Sequence, residues 1–191
     1  MDPRRHIRKW GRNGFAMPAP SQVKWSVLER YGHPTGIWVE SGTFLGDTAR
    51  HLATTAAHVY TIEPSPALAI RARERFAEVP NVTVVEGLSE ECLVAVLELV
   101  DGPLSLWLDG HYSEGVTFQG PRDTPIREEL AALSPHLERL GQVTVLIDDA
   151  RCFDPAIEAY AQYPPRDWLV HWALANDLTW TIEHDIFAMW K

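Results

Sequence analysis

The stretch that decides the fold covers residues 36–63 and reads GIWVESGTFLGDTARHLATTAAHVYTIE. A short apolar run at 37–39 is followed by a glycine-bearing turn, a segment of helical period at 47–57, and a second apolar run at 58–62. A strand, a helix and a further strand in this order predict a parallel pair, because a parallel connection needs a dozen or more residues.

This alternation continues to residue 147 and predicts an α/β protein whose mostly parallel sheet is covered on both faces. The last two strand-like runs, 178–183 and 186–190, are separated by two residues, so they must pair antiparallel. We therefore expect a Rossmann-like three-layer αβα sandwich, with a seven-stranded sheet and a C-terminal antiparallel hairpin. The remaining predicted strands are 82–85, 104–108 and 143–147, and the remaining predicted helices are 66–78, 89–100, 124–141 and one within 155–175.

Residues 1–20 are rich in Arg, Pro and Gly without period, and are predicted to form a flexible basic arm or lid. Residues 21–191 are predicted to form a single domain. Its first helix is expected to be capped by Ser21 and to stop at Gly32.

Composition limits the functional classes. The chain has 191 residues, of which 46% are hydrophobic and 23% charged, as in an ordinary soluble domain. It has no apolar stretch of about 20 residues, which argues against a membrane span, and no apolar run after its first charges, which argues against a secretory signal. Two cysteines favour the reduced cytoplasm. The net charge of −9 argues against nucleic acid as a partner, although residues 1–24 carry +5.

The loop after the first strand, residues 40–46, lies where ligands bind in open α/β sheets. Gly42 and Gly46 are spaced G-x-x-x-G, which departs from the G-x-G-x-x-G of dinucleotide sites. Phe44 stands where a pyrophosphate would need bare backbone, so a ligand without phosphate fits better. Glu40 can accept hydrogen bonds from a ligand amine.

Residues at the ends of the second and third strands support the prediction of a nucleoside-binding site. Glu63 ends the second strand about 20 residues after the loop, where an acid can accept both hydroxyls of a ribose. Gly87 and Leu88 follow the third strand and can border an adenine, whereas the alternative for Ser89 is a helix cap alone.

Residues 39–48, VESGTFLGDT, resemble the first motif of catechol-type O-methyltransferases, E-x-G-T-x-x-G-x-S/T, within the class I S-adenosylmethionine (SAM)-dependent methyltransferases. The resemblance covers about residues 36–191, and that family also ends its sheet in an antiparallel hairpin. Phe44 replaces the third glycine of the commoner E-x-G-x-G-x-G form. The resemblance implies that SAM is the cofactor and that it is held by Glu40, Gly42, Thr43, Phe44, Gly46, Glu63, Gly87, Leu88, Ser89 and Asp109.

Three carboxylates follow the fourth and fifth strands, which are expected to be neighbours. Asp109 follows the fourth strand, and Asp148 and Asp149 follow the fifth. Converging carboxylates repel, and a hard divalent cation such as Mg²⁺ relieves this. The pattern resembles metal-dependent O-methyltransferases of the catechol and macrocin types, which implies that Asp109, Asp148 and Asp149 bind Mg²⁺. The alternative is that these residues cap turns.

His111 lies two residues beyond Asp109, where its ordinary pKa of about 6.5 suits a general base. It could instead bind the metal or orient a loop. Asp109 and His111 are the predicted catalytic residues, and 112–120 is predicted to be a lid or, alternatively, a surface loop.

These observations predict a SAM-dependent, divalent-metal-assisted O-methyltransferase of a small hydroxylated acceptor such as a sugar, natural product or phenol. The alternatives are a metal-independent methyltransferase, a non-catalytic SAM-binding module, and a nicotinamide dehydrogenase, which the missing G-x-G-x-x-G disfavours. We expect neither a nucleic-acid nor a membrane partner; a homodimer is left open. Of the eight tryptophans, Trp38 and Trp107 are expected in the core, and Trp10, Trp168 and Trp172 are free to wall an acceptor site.

Overall fold

The computed structural model describes residues 3–110 and 124–191. Seven strands form one sheet in the order β3-β2-β1-β4-β5-β7-β6. The first five strands are parallel, β7 is antiparallel to β5, and β6 is antiparallel to β7. The strands are β1 (Ile37–Ser41), β2 (His58–Glu63), β3 (Val82–Glu86), β4 (Leu104–Leu108), β5 (Val143–Ile147), β6 (Thr179–Glu183) and β7 (Ile186–Trp190).

Helices cover both faces of the sheet, which confirms the Rossmann-like prediction and the C-terminal antiparallel hairpin. The central strands β4 and β5 are buried along their whole length. The described α-helices are α1 (Pro3–Arg12), α2 (Ser21–Tyr31), α3 (Asp47–Leu52), α4 (Pro66–Arg75), α5 (Ser89–Leu99), α6 (Ile126–Leu133), α7 (Leu137–Leu140) and α8 (Arg166–Ala175).

Several helix boundaries differ from the sequence predictions. The N-terminal segment contains helix α1, where we expected no regular structure. The helix predicted at 124–141 is split into α6 and α7 by a 3-10 turn, Ser134–His136, that contains a proline. The helix predicted at 47–57 ends at Leu52.

Two predicted helix caps are wrong. Pro20 precedes α2 and Leu88 precedes α5 in extended conformation, so Ser21 and Ser89 are the first helical residues instead. The stop at Gly32 is confirmed.

Helix α2 matters most for the site because it holds the N-terminal segment against the sheet. Val27 and Leu28 have no exposed surface and belong to the apolar layer that contains Trp38 and Trp107. Both tryptophans are buried, as predicted for the core. The layer fixes α2 near the carboxyl ends of the central strands. In the described part of the chain, no helix has the length and apolar composition needed to cross a bilayer.

Candidate cofactor site and acid cluster

The glycine loop after β1 packs directly on the loop after β4. Gly42 has a φ of +88°, and its N–H donates to the carbonyl of Ile62 at 3.0 Å. A Cβ at this position would lie 2.7 Å from the carbonyl oxygen of Asp109. Both the positive φ and the close approach require glycine here. The order of the sheet reverses between β1 and β4, so this contact marks the place where ligands bind in such sheets.

The rest of the loop is ordered by Glu63, at the end of β2. Its Oε2 accepts the N–H of Phe44 at 2.7 Å, and its Oε1 accepts the N–H of Ser65 at 2.9 Å. Phe44 has a φ of +49°, so Glu63 stabilises an unusual backbone conformation. Burial raises the pKa of Glu63, and the two backbone bonds oppose that rise. A carboxylate accepts about four hydrogen bonds, so Glu63 retains capacity for ligand hydroxyls.

Glu40 is a buried acid with a strongly raised pKa. It is 1% exposed, and its Oε2 accepts the hydroxyl of Thr61 at 2.6 Å. Burial raises its pKa to about 8; the Thr61 bond opposes the rise, and the charges of Asp109 and Glu63 add to it. Glu40 is therefore largely protonated at neutral pH in the ligand-free protein, and an arriving cation would favour its ionised form.

A cavity of about 290 Å³ joins most of the predicted cofactor residues. Glu40, Gly42, Thr43, Phe44, Gly46 and Asp109 line it. Glu63, Gly87, Leu88 and Ser89 are not among its described lining residues, so their predicted roles at the ribose and adenine stay predictions. The N-terminal segment supplies lining residues that sequence reasoning missed, namely Pro18, Ala19, Ser21, Lys24 and Trp25.

Lys24 interacts with all three acids of the acid cluster, which consists of Asp109, Asp148 and Asp149. Its Nζ contacts Oδ2 of Asp148 and lies 3.9 Å from Oδ1 of Asp149. Burial lowers the pKa of Lys24, but the charges of Asp148, Asp109 and Asp149 outweigh this and raise it overall. The three predicted metal ligands thus act on one ammonium group.

A second cation lies on the far side of the cluster. Nη1 of Arg151 donates to Oδ1 of Asp149 at 2.6 Å and also contacts Oδ2 of Asp185. The N–H of Arg151 donates to Oδ1 of Asp185 at 2.8 Å. Asp149 has a φ of +54°, and this network holds its backbone in place.

The described geometry gives no support to a Mg²⁺ site. Within 3–110 and 124–191, no three His, Cys, Asp or Glu side chains are arranged to hold a metal ion. The fit to a metal ion is poor for a physical reason, since Lys24 and Arg151 already bind oxygens of Asp148 and Asp149. His111 and the predicted lid at 112–120 lie outside the described residues.

A larger cavity, about 480 Å³, adjoins the first and shares Pro18, Ala19 and Ser21 with it. Trp10 lines this second cavity. Its predicted role in the wall of an acceptor site stays a prediction. Trp168 and Trp172 instead pack against the core.

No protein-family model and no curated protein matches the sequence, but many solved structures match the fold. A protein from Streptococcus mutans, proposed to be a methyltransferase and solved in complex with SAH, is 16% identical over 92% of this chain and 98% of its own, with a TM-score of 0.53. An rRNA methylase from Streptococcus thermophilus is 17% identical over 92% and 97%, with a TM-score of 0.51. The N-methyltransferase NodS from Bradyrhizobium japonicum is 13% identical over 89% and 91%, with a TM-score of 0.52.

This chain has the Rossmann-like methyltransferase fold. At such low sequence identities, structural similarity shows the fold but not the function. None of these three neighbours is described as a metal-dependent O-methyltransferase. The resemblance to metal-dependent O-methyltransferases therefore stays a prediction.

Proposed function

We propose that the protein is a SAM-dependent methyltransferase. The observation that carries the proposal is the cavity at the carboxyl ends of β1 and β4, where the Gly42 loop meets buried Glu40. SAM carries a sulfonium and an ammonium group, and a buried carboxyl group that faces a cavity favours a cation over a neutral ligand. The methyltransferase fold of the neighbours supports the same cofactor.

The acceptor we propose is a small hydroxylated molecule such as a sugar, a natural product or a phenol. The adjoining cavity of about 480 Å³ is of a size that small ligands occupy, and Trp10 offers an apolar wall. A net charge of −9 disfavours RNA. One structural neighbour is described as an rRNA methylase, so RNA is the second acceptor to test.

Methyl transfer to oxygen needs little covalent chemistry from the protein. SAM supplies a methyl group on positively charged sulfur; as the new O–CH₃ bond forms, the electron pair of the broken S–CH₃ bond stays on sulfur. The hydroxyl proton must leave, and His111, predicted from the sequence, is the base we assign to it. The remaining residues act by holding both reactants in line, which is the larger contribution in such reactions.

Of the two forms of this reaction considered from the sequence, we favour the metal-independent one. Support comes from Lys24, whose ammonium lies on Asp148 where the metal-assisted form places the ion. The metal-assisted form would have Asp109, Asp148 and Asp149 hold Mg²⁺, which would lower the pKa of the acceptor hydroxyl. Turnover that EDTA abolishes and Mg²⁺ restores would favour that form.

Calorimetric titration with SAM and with SAH tests the cofactor. We expect binding by the wild-type protein and at least about tenfold weaker binding by Gly42→Ala, because the added Cβ pushes Asp109 away. Gly141→Ala is the matched control: Gly141 has a φ of +68° but has open space around it. No binding at millimolar SAM refutes the proposal.

Radiolabelled SAM then identifies the acceptor. A panel of hydroxylated small molecules and, separately, rRNA should be offered with and without EDTA. Tight SAM binding without transfer to any acceptor in a cell extract would favour the non-catalytic module.

A further inference from the structure

A lysine from outside the central sheet reaches the acid cluster at the strand ends. Lys24 belongs to α2, yet its Nζ contacts Asp148, the residue directly after β5, and lies 3.9 Å from Oδ1 of Asp149. Its side chain is 19% exposed and that of Asp148 is 1% exposed, so the pair is largely withdrawn from water. A buried ion pair of this kind depends on both partners, because removing one leaves the other charge uncompensated.

Helix α2 holds Lys24 in place on two sides. Val27 and Leu28 are fully buried under the sheet. Trp25, the next residue in the chain, donates from Nε1 to Oγ1 of Thr48 at 3.2 Å and stacks on His51 with ring centroids 4.5 Å apart. The lysine therefore starts from a fixed backbone position next to the cluster.

Two side-chain cations already lie on the acids that follow β5. Asp148 and Asp149 together carry two negative charges when ionised, and Lys24 and Arg151 supply two positive ones, the charge of one divalent ion. A divalent ion would have to displace Lys24 from Asp148 and Arg151 from Asp149. The displaced ammonium of Lys24 and guanidinium of Arg151 would then lie close to the bound divalent ion, and this repulsion is electrostatically unfavourable.

We propose that Lys24 is the built-in counter-cation of Asp109, Asp148 and Asp149, and that it takes the place of a divalent metal ion in this protein. Lys24 also lines the cavity that contains Glu40 and Asp109, so its positive charge faces the space where the reactants would meet. If the proposed function holds, an acceptor oxygen in that space receives a hydrogen bond from an ammonium group instead of a bond to a metal. An ammonium has three N–H donors, so bonding to Asp148 does not exhaust it.

Binding of Mn²⁺, followed by electron paramagnetic resonance at pH 8 without cofactor, tests the proposal. We expect no saturable Mn²⁺ binding by the wild-type protein. Lys24→Met keeps the length of the side chain but removes its charge. This variant should gain one Mn²⁺ site, with an affinity at least about tenfold above the detection limit set by the wild type. Asp148→Asn in the Lys24→Met background should abolish that site. Lys191→Met removes a lysine at the chain end and should behave like the wild type.

Two results would overturn the proposal. One is a wild-type protein that binds one Mn²⁺ and loses it in Asp148→Asn, which would make a metal the resident cation. The other is a folded Lys24→Met that gains no Mn²⁺ site. Circular dichroism checks folding, and Lys24→Gln, which can still donate to Asp148, replaces Lys24→Met if the latter does not fold.

The outcome is independent of the cofactor. Titration of the same samples with SAH reports on the proposed function alone. A protein that fails to bind SAH but gains a Mn²⁺ site in Lys24→Met would refute the proposed function and support the role of Lys24.

Discussion

Replacing Glu40 by glutamine should stabilise the ligand-free protein at neutral pH while weakening SAM binding. Glu40 has a pKa of about 8 in the folded state against an ordinary value of 4.5. Above pH 4.5 the unfolded chain releases a proton that the folded chain retains, so this group makes the protein less stable as the pH rises from 4.5 to 8. Glutamine has no proton to release, and its amide oxygen can still accept the hydroxyl of Thr61.

The size of the effect follows from the pKa. Each pH unit between 4.5 and 7 costs about 1.4 kcal/mol, so ionisation of Glu40 in the unfolded chain removes about 3 kcal/mol of stability at pH 7. Glu40 is 1% exposed, so solvent screening does not reduce this appreciably. In a domain of this length, about 3 kcal/mol raises the melting temperature by roughly 6–12 °C.

Urea unfolding of wild type and Glu40→Gln at pH 4.5, 7 and 8 measures the effect. We expect equal stabilities near pH 4.5 and a gain of about 3 kcal/mol for the variant at pH 7. Glu78→Gln, at an exposed position, is the control and should change little. A difference that is the same at every pH, or a Glu40→Gln protein that is less stable at pH 7, would refute the reasoning.

Three further outcomes follow from the same charges. Binding of SAM at pH 7 should release up to about one proton from Glu40, seen as a dependence of the calorimetric heat on buffer ionisation enthalpy that Glu40→Gln removes. Glu129 is 2% exposed and burial raises its pKa to about 7, so Glu129→Gln should gain about 3 kcal/mol in urea unfolding at pH 8 and nothing near pH 4.5. Asp185→Asn weakens the ion pair with Arg151 and should cost about 1–3 kcal/mol in the same assay.

The fold could be predicted because its signals are local. Continuous apolar runs such as 104–108 and 143–147 coincide with β4 and β5, and the two-residue link between 183 and 186 admits only an antiparallel hairpin. Helix boundaries were less accurate since neighbouring structure decides them. Pro135, within the 3-10 turn, interrupts a pattern that the surrounding leucines make look continuous.

Only those site residues that lie at strand ends could be predicted from the sequence. Glu40, Gly42 and Asp109 line the cavity because each follows or ends a parallel strand at the point where the sheet order reverses. Lys24 was missed because 124 residues separate it from Asp148 and a lysine on an amphipathic helix looks like a solvated side chain. The signal in the sequence was its position in the first turns of α2, which does not specify a partner.

The hydrogen-bond and ion-pair partners of each acid indicate which carboxylate a cationic ligand would stabilise most. Asp148 and Asp149 are compensated by Lys24 and Arg151, and Glu63 accepts two backbone N–H groups. Glu40 accepts the neutral hydroxyl of Thr61. A cation entering the cavity therefore stabilises the ionised form of Glu40 more than that of an acid already facing a positive charge. The acids that follow β5, which sequence reasoning assigned to a metal, are therefore compensated by side-chain cations, and Glu40 keeps its predicted role toward the cofactor.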